Sequence, residues 1–292
     1  MKIIENPELK TMSTLKLGGK ARAAYYAQDY KDLETLGGIW PELGPEVLIQ
    51  GRGSNTLFKD GKRDFSLVVW KKRDVSDVFV SKQGQVMVMA DAGLSLPGFL
   101  GWSAGKGLSG LENLAGIPGS LGGAVAMNAG SFGIEIKDLL KSVTLWTPES
   151  GIMEIDKEDM ETGYRTFKVR NIGRRFIILK VLLLMQRDNP RQVRRRMKEC
   201  YLRKKNIQPV LENTAGCVFK NPKGFEPAGI LLEKAGFRGK VNGRVCFSQK
   251  HANFLVNKGG GSSKAALDLI SEARQTVQKM FGADLELEIK VV

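Results

Sequence analysis

The sequence predicts an α+β protein that is divided into at least two parts. Short segments with alternating apolar residues, typical of half-buried strands, are interspersed with segments whose apolar residues recur at helical spacing. The chain has 292 residues, 42% of them hydrophobic, which suffices for two or three domains with their own cores. The composition changes near Pro190, where basic residues begin to crowd. The predicted domains are therefore 1–187 and 188–292.

Most elements of the first part can be predicted from caps and apolar periodicity. Asp29 is a favourable N-cap for a helix that runs to Leu36. The apolar strand from Val47 to Gln50 ends at Gly51, where a loop of special geometry follows. The other predicted elements are a helix from Leu96 to Ala104, a hairpin of Ser76 to Val80 and Val86 to Ala90 around Lys82-Gln83-Gly84, a hairpin of Val143 to Trp146 and Ile152 to Ile155, and a buried strand from Phe176 to Met185.

The second part begins with a basic helix that has proline at its start, a favourable position for that residue. Its cationic residues are Arg191, Arg194, Arg195, Arg196, Lys198, Arg203, Lys204 and Lys205. A long helix from Ser262 to Met280 carries Leu269, Ala273, Val277 and Met280 at helical spacing, so this face should pack on a sheet. The remaining predicted elements are strands at Val218, Val245 to Ser248, Phe254 to Asn257 and Leu285 to Val292, and a helix from Pro227 to Ala235.

Composition excludes several classes of protein. The longest apolar run, Phe176 to Met185, is too short to span a membrane and contains Lys180. The amino terminus lacks the features of a secretory signal, so a cytoplasmic location is expected. The cysteines are widely spaced and His251 is the single histidine, which argues against a metal site and against histidine acid-base chemistry. The formal charge of +14 indicates an anionic partner.

Two glycine-rich segments favour a cofactor that carries phosphate. Gly51-Arg52-Gly53-Ser54-Asn55 follows a strand and can turn its backbone N–H groups inward as an anion-binding nest, although a tight turn is the simpler interpretation of that segment alone. The second segment, from Ala115 to Ala124, is long and mostly apolar, which favours close backbone approach to a flat group or a diphosphate. A formal GxGxxG at Gly105 to Gly110 follows a predicted helix instead of a strand, so we interpret it as chance.

A larger set of motifs carries a family resemblance. In chain order these are Gly51 to Asn55, Gly107-Leu108-Ser109-Gly110-Leu111-Glu112, Ala115-Gly116-Ile117-Pro118-Gly119-Ser120, Met127-Asn128-Ala129-Gly130, Gly163-Tyr164-Arg165, Ala215-Gly216-Cys217-Val218-Phe219-Lys220-Asn221-Pro222, Lys250-His251-Ala252-Asn253-Phe254 and Leu285-Glu286-Leu287-Glu288. Together they resemble the UDP-N-acetylenolpyruvoylglucosamine reductase (UDP-N-acetylmuramate dehydrogenase) family of bacterial cell-wall enzymes. The resemblance covers essentially the whole chain.

The resemblance implies a fold and a cofactor. It implies an FAD-binding domain of the vanillyl-alcohol-oxidase type with two subdomains, about 1–70 and 71–187. A smaller α+β substrate-binding domain would follow, and its last strand, 285–292, would carry Glu288. FAD would be bound non-covalently, and NADPH would be the reductant. The implied cofactor-binding residues are Gly51, Arg52, Gly53, Ser54, Asn55, Gly116, Ile117, Gly119, Ser120, Gly122, Gly123, Asn128 and Ala129.

The implied reaction reduces UDP-N-acetylglucosamine enolpyruvate to UDP-N-acetylmuramate in peptidoglycan precursor synthesis. Arg165 matches the residue that binds the substrate carboxylate and stabilises the enolate, and Glu288 matches its partner carboxylate. Cys217 stands where the family usually has a serine that donates the final proton. A thiol can do this work, because its ordinary pKa near 8.5 makes it a better acid than an alcohol.

From the residues alone, each catalytic candidate also has a structural interpretation. Arg165 would be an exposed arginine, and Cys217 a small buried thiol. The alternation of apolar residues from Leu285 to Val291 would place Glu288 on a solvated strand face. Only the resemblance favours the catalytic roles.

Substrate contacts and assembly follow from the resemblance as well. The implied substrate-binding residues are Tyr164, Lys205, Asn221, Lys250 and His251. The stretch between Arg165 and Cys217 leaves no room for the tyrosine-bearing insertion of one family branch, so the chain resembles the shorter branch. Phe167 departs from the serine that many members have there. We expect a monomer that binds neither nucleic acid nor membrane.

Two rival functions remain open at this stage. A nucleic-acid-binding protein would account for the basic segment from Arg191 to Lys205 but not for the glycine-rich loops. An FAD oxidase of the same superfamily would often bind its flavin through a histidine, and the predicted flavin domain has none.

Overall fold

The computed structural model describes residues 1–80, 85–173 and 175–292, with the backbone alone for 76–80. Its helices are α1 (Tyr30–Gly38), α2 (Leu96–Gly105), α3 (Leu121–Ala126), α4 (Pro190–Ile207), α5 (Ala228–Lys234) and α6 (Ser263–Phe281). Its strands are β1 (Lys2–Glu5), β2 (Ala23–Ala27), β3 (Val47–Ile49), β4 (Thr56–Leu57), β5 (Ser66–Trp70), β6 (Val75–Val80), β7 (Gln85–Asp91), β8 (Leu108–Ser109), β9 (Gly130–Ser131), β10 (Ile134–Glu135), β11 (Leu140–Thr147), β12 (Gly151–Asp156), β13 (Met160–Gly163), β14 (Thr166–Val169), β15 (Ile177–Arg187), β16 (Asn213–Cys217), β17 (Val241–Asn242), β18 (Val245–Phe247), β19 (Phe254–Asn257) and β20 (Lys290–Val291). This mixture of elements confirms the predicted α+β class.

The chain forms two compact units, and each has its own apolar core. The first unit comprises Met1–Glu5, Ala23–Gly51 and Asp64–Leu202, and the second comprises Asn6–Arg22, Arg52–Arg63 and Arg203–Val292. These units differ from the ranges 1–187 and 188–292, because Leu15, Leu17 and Leu57 belong to the core of the second unit. The functional division into an FAD-binding and a substrate-binding domain stays a prediction.

The first unit contains two larger sheets. One has the strand order β1-β2-β5-β3, in which β2, β5 and β3 are parallel and β1 is antiparallel to β2. The other is antiparallel, with the order β12-β11-β15-β7-β6 and with β8 paired to the end of β15. Helix α1 begins after Asp29, whose side chain accepts a hydrogen bond from Asp32 N at 2.8 Å, as its sequence predicts.

The second unit is an antiparallel sheet covered by helices. Its strand order is β16-β19-β18-β17, and β20 pairs in parallel with β4. Helix α6 packs against β17 and β18, with Leu269, Ala273 and Val277 buried as predicted. The prediction was wrong for Met280, which is 53% exposed because it lies in the last turn of the helix, beyond the buried residues.

Most of the individually predicted elements are confirmed within one to three residues at each end, whereas the last strand is wrong over most of its length. The extended pairing is limited to Lys290–Val291, whereas the preceding residues form one isolated antiparallel bridge between Leu287 and Phe219. In this bridge Lys220 N donates to Glu286 O and Glu288 N donates to Val218 O, both at 2.8 Å. The predicted turn Lys82-Gln83-Gly84 lies outside the described residues. Among the helices described, none is long and apolar enough to cross a membrane.

Candidate active site

The two glycine-rich segments meet in the first unit at Gly51. A Cβ on Gly51 would lie 2.5 Å from Ser120 Oγ and 3.9 Å from Gly123 Cα, so a larger residue would collide with the serine hydroxyl. Ser120 is the N-cap of α3, and its hydroxyl accepts a hydrogen bond from Gly123 N at 3.2 Å. The structure therefore brings together three residues that the sequence assigns to the cofactor.

The second glycine-rich segment is packed tightly against the strand that precedes α2. A Cβ on Gly122 would lie 2.7 Å from Ala92 Cβ, and Gly122 N donates to Ala92 O at 2.9 Å. Gly119 has φ +128°, a conformation that favours glycine. Ala92 therefore fills the space beside Gly122 and fixes the path of the loop backbone. A loop backbone held in this way fits the FAD that the resemblance implies.

In the second unit, Asn55 of the nest lies beside the segment that carries Glu288. Asn55 Nδ2 donates to Glu288 O at 3.0 Å, and Lys290 N donates to Asn55 O at 2.9 Å. Glu288 N donates in turn to the main-chain oxygen of Val218 at 2.8 Å, and Val218 is the residue after Cys217. Cys217 ends β16 and is half-buried. Asn55 and Glu288 are thus connected by hydrogen bonds to each other and to Val218, the residue that follows Cys217.

Ser13 and Thr14, which the sequence analysis did not select, adjoin the same network. Thr14 Oγ1 donates to Thr214 O at 2.6 Å, and Thr14 N donates to Gly53 O at 3.2 Å. Ser13 is only 4% exposed, and its hydroxyl has no hydrogen-bond partner within the part of the chain that the structure describes. A buried hydroxyl beside the nest is consistent with a bound polar group. No local sequence signal marks Thr14, since Thr214 is 200 positions away.

Arg165 lies in the first unit, in the two-residue turn between β13 and β14. Its φ of +54° is in the left-handed region that favours glycine, and its guanidinium lies 5.1 Å from the ring centre of Tyr164. The turn is anchored by Asn128, whose Nδ2 donates to Gly163 O at 2.8 Å. Cys217 and Glu288 belong to the second unit.

Asn128 is 1% exposed, and its carboxamide is occupied by the protein itself. Besides Gly163 O, Nδ2 donates to Glu135 Oε2 at 3.0 Å, and Oδ1 accepts from Lys137 N at 3.2 Å. Both amide hydrogens of Asn128 are thus used within the first unit, and its main-chain N donates to Val125 O at 2.9 Å. Glu135 was also missed by the sequence analysis.

Tyr164 lies in the first unit, and the other four residues assigned to the substrate lie in the second unit in different surroundings. Lys250 Nζ donates to Lys205 O at 2.9 Å, so these two positions adjoin. Asn221 Oδ1 accepts from Ala228 N at 3.0 Å, at the start of α5. His251 Nδ1 accepts from Asn253 N at 3.2 Å, and burial together with the nearby Arg238 lowers the pKa of His251. Its imidazole is therefore neutral at pH 7.

A partly buried cluster of Arg196 with two carboxylates supports the segment that leads into the second glycine-rich loop. Arg196 of α4 donates to Glu112 Oε1 at 2.8 Å and to Asp188 Oδ2 at 2.6 Å. Burial by itself raises the pKa of Glu112, but hydrogen bonds from Gly110 N and Arg196 outweigh it and hold the pKa below its usual value. Within residues 1–80, 85–173 and 175–292, no group of His, Cys, Asp or Glu is arranged to hold a metal ion.

Two family models match the chain in the order that the predicted domains require. Residues 21–156 match a model described as an FAD binding domain. Residues 208–292 match the C-terminal domain of UDP-N-acetylenolpyruvoylglucosamine reductase. With the glycine loops described above, these matches define an FAD-dependent oxidoreductase and confirm the predicted cofactor and fold.

Comparison over the whole chain identifies the family. The chain is 40% identical to the UDP-N-acetylenolpyruvoylglucosamine reductase of Nitratidesulfovibrio vulgaris over 100% of this chain and 99% of the relative, and 35% identical to that of Aquifex aeolicus over 100% and 96%. The crystal structure of the Thermus caldophilus reductase superposes with a TM-score of 0.81 at 30% identity, covering 99% of this chain and 98% of that one. The chain belongs to the UDP-N-acetylenolpyruvoylglucosamine reductase family, which confirms the resemblance.

Proposed function

We propose that the protein reduces UDP-N-acetylglucosamine enolpyruvate with NADPH, and that Cys217 donates the final proton. The observation that carries the assignment of Cys217 is its position: it ends β16 one residue before Val218, whose carbonyl is bonded to Glu288 N at 2.8 Å. The relatives are reductases by name, and their names state the enolpyruvyl substrate. We place the reaction in the cytoplasm and expect the protein to act as a monomer.

Bound FAD supplies the two-electron chemistry that joins NADPH oxidation to reduction of the enolpyruvyl double bond. The residues proposed to hold it are the nest Gly51 to Asn55, the loop residues Gly116, Ile117, Gly119, Ser120, Gly122 and Gly123, and Asn128 and Ala129. All of them lie within residues 21–156, which match the FAD binding domain model, and this match supports the assignment.

The protein's own groups manage charge and protons at the substrate. Arg165 binds the carboxylate and stabilises the negative charge that develops next to it, and Glu288 assists in activating the carboxyl group. Cys217 then gives its proton to the adjacent carbon, since a thiol is mostly protonated at neutral pH and is a stronger acid than an alcohol. Tyr164, Lys205, Asn221, Lys250 and His251 are proposed substrate contacts.

Stopped-flow measurement of the two half-reactions tests this proposal. In Cys217→Ala, we expect NADPH to bleach the flavin at the wild-type rate, while reoxidation by the enolpyruvyl substrate slows by about 100-fold or more, the usual contribution of a general acid. Cys217→Ser should retain measurable reoxidation. Cys200→Ser is the matched control, because Cys200 Sγ is engaged with Asn113 Oδ1 at 3.4 Å in the first unit.

Each outcome bears on a separate part of the proposal. Normal turnover of Cys217→Ala would show that another group donates the proton. A wild-type enzyme whose flavin is not reoxidised by the enolpyruvyl substrate would contradict the proposed reaction itself. A colourless protein that binds DNA with steep salt dependence would favour the nucleic-acid alternative.

A further inference from the structure

Arg165 is held in an unfavourable backbone conformation by a small polar cluster of the first unit. A φ of +54° is unfavourable for a residue other than glycine, so other interactions must compensate. Within the turn, Thr166 Oγ1 donates to Tyr164 O at 3.2 Å, and the Arg165 guanidinium lies 5.1 Å from the Tyr164 ring centre. Asn128 and Glu135 contribute further contacts from outside the hairpin.

Asn128 connects the turn to Glu135. One amide group, Nδ2, donates both to Gly163 O at 2.8 Å, two residues before Arg165, and to Glu135 Oε2 at 3.0 Å. Asn128 is 1% exposed, so water competes little for these hydrogen bonds. The position of the turn is therefore linked to that of the Glu135 carboxylate.

Gly130 allows Glu135 and Arg165 to approach each other. Gly130 is paired directly opposite Glu135 in the β9–β10 ladder. A Cβ at Gly130 would lie 2.8 Å from Glu135 Cγ and 3.6 Å from Arg165 Nη1, so both side chains occupy the space that this glycine leaves. The pKa of the Glu135 carboxyl group lies below its usual value, mainly because of the hydrogen bond from Lys137, with smaller contributions from Asn128 and from the charge of Arg165.

We propose that Glu135, braced by Asn128, is a positioning residue that orients the Arg165 guanidinium for the carboxylate of the substrate. The inference rests on the proposed function of Arg165 and adds the group that sets its direction. Lys137 Nζ also contacts Glu135 Oε2, at 2.5 Å, but its side chain is one-third exposed and so supports the carboxylate from the solvent side.

The test compares conservative variants in the two half-reactions. Glu135→Gln keeps an acceptor for Asn128 but removes the charge that faces Arg165. We expect the second-order rate of reoxidation by the enolpyruvyl substrate to fall about tenfold, a size typical of coupling between neighbouring groups. NADPH reduction of the flavin and the FAD content should stay within about twofold of wild type. Glu161→Gln is the matched control, an exposed carboxylate on β13 of the same hairpin.

Arg165→Lys and the double variant separate positioning from a purely structural role. If Glu135 acts through Arg165, adding Glu135→Gln to Arg165→Lys should slow reoxidation little further. Gly130→Ala, whose Cβ would displace the Glu135 side chain, should reproduce the defect of Glu135→Gln. A Glu135→Gln variant in which reoxidation slows while flavin reduction keeps its wild-type rate would support positioning, because a purely structural defect would slow both half-reactions.

The outcomes distinguish this inference from the function on which it rests. If reoxidation is slow in Arg165→Lys but keeps its wild-type rate in Glu135→Gln, the positioning role of Glu135 is overturned and the proposed role of Arg165 is not. Independent, multiplicative losses in the double variant would also overturn it, as would a Glu135→Gln defect shared equally by both half-reactions. Reoxidation at the wild-type rate in Arg165→Lys would instead contradict the proposed role of Arg165.

Discussion

Replacing Gly122 by alanine tests whether close backbone packing shapes the cofactor loop. The new Cβ would lie 2.7 Å from Ala92 Cβ and 3.3 Å from Ala92 O, whereas carbon atoms in contact normally stay about 3.5–4.0 Å apart. Such overpacking costs about 1–3 kcal/mol. Alanine in a helix gains only about 0.5–1 kcal/mol over glycine. We therefore expect a net loss of about 1–2 kcal/mol in the free energy of unfolding.

The assay combines chemical denaturation with titration of the apoprotein by FAD. If the same strain opposes the bound geometry of the loop, FAD affinity should weaken by about 5- to 30-fold, the factor that corresponds to 1–2 kcal/mol. The matched control is Gly101→Ala in α2, where a Cβ would meet nothing within 4 Å and should be neutral or stabilising. Adding Ala92→Gly to Gly122→Ala should restore part of the stability and affinity, because it removes one of the two colliding atoms.

Unchanged stability and FAD affinity in Gly122→Ala would refute the reasoning about close packing. The reasoning would also be refuted if the losses of stability and FAD affinity in the Ala92→Gly, Gly122→Ala double variant were the sum of the two single losses, because relief of a collision requires the two substitutions to interact. A loss of the same size in Gly101→Ala would show that the assay responds to any helix substitution.

Further expected outcomes concern the ion pair and the histidine. Arg196→Met leaves the buried Glu112 carboxylate without its cation, and because Arg196 is 38% exposed we expect a loss of about 1–3 kcal/mol at pH 7, less than for a fully buried pair. The pKa of Glu112 is lowered in the folded state, so the stabilisation by its ionised form is present above the unfolded pKa and is lost as pH falls through the folded pKa. In urea denaturation, the difference in the free energy of unfolding between Arg196→Met and wild type should therefore narrow only below about pH 4. A constant difference down to pH 3 would contradict the pairing. The pKa of His251 is also lowered, so the folded state favours the neutral ring and loses stability as pH falls below about 6.5. The imidazole signal of this single histidine in NMR should have its titration midpoint below that pH. A midpoint above about 6.5 would contradict the burial argument.

Local sequence patterns determined much of the secondary structure and the family. Asp29 and Ser262 begin helices because a short polar side chain bonds the backbone three residues on, an interaction that needs no distant partner. The glycine motifs and the Tyr164-Arg165 pair were recognisable for a similar reason, since their chemistry depends on residue types at fixed short spacing. Cys217 was identified by its place within such a motif.

Tertiary structure alone decided which distant segments share a unit and which side chains support the candidate site. Asn257 Nδ2 donates to Leu15 O at 3.0 Å across 242 positions, and Thr14 bonds Thr214 O across 200, so segments near the amino terminus join the second unit. The support of Arg165 by Glu135 and the collision that selects glycine at Gly122 were equally invisible in the sequence. Periodicity reports which face of an element is apolar, whereas these contacts depend on how the whole chain closes in three dimensions.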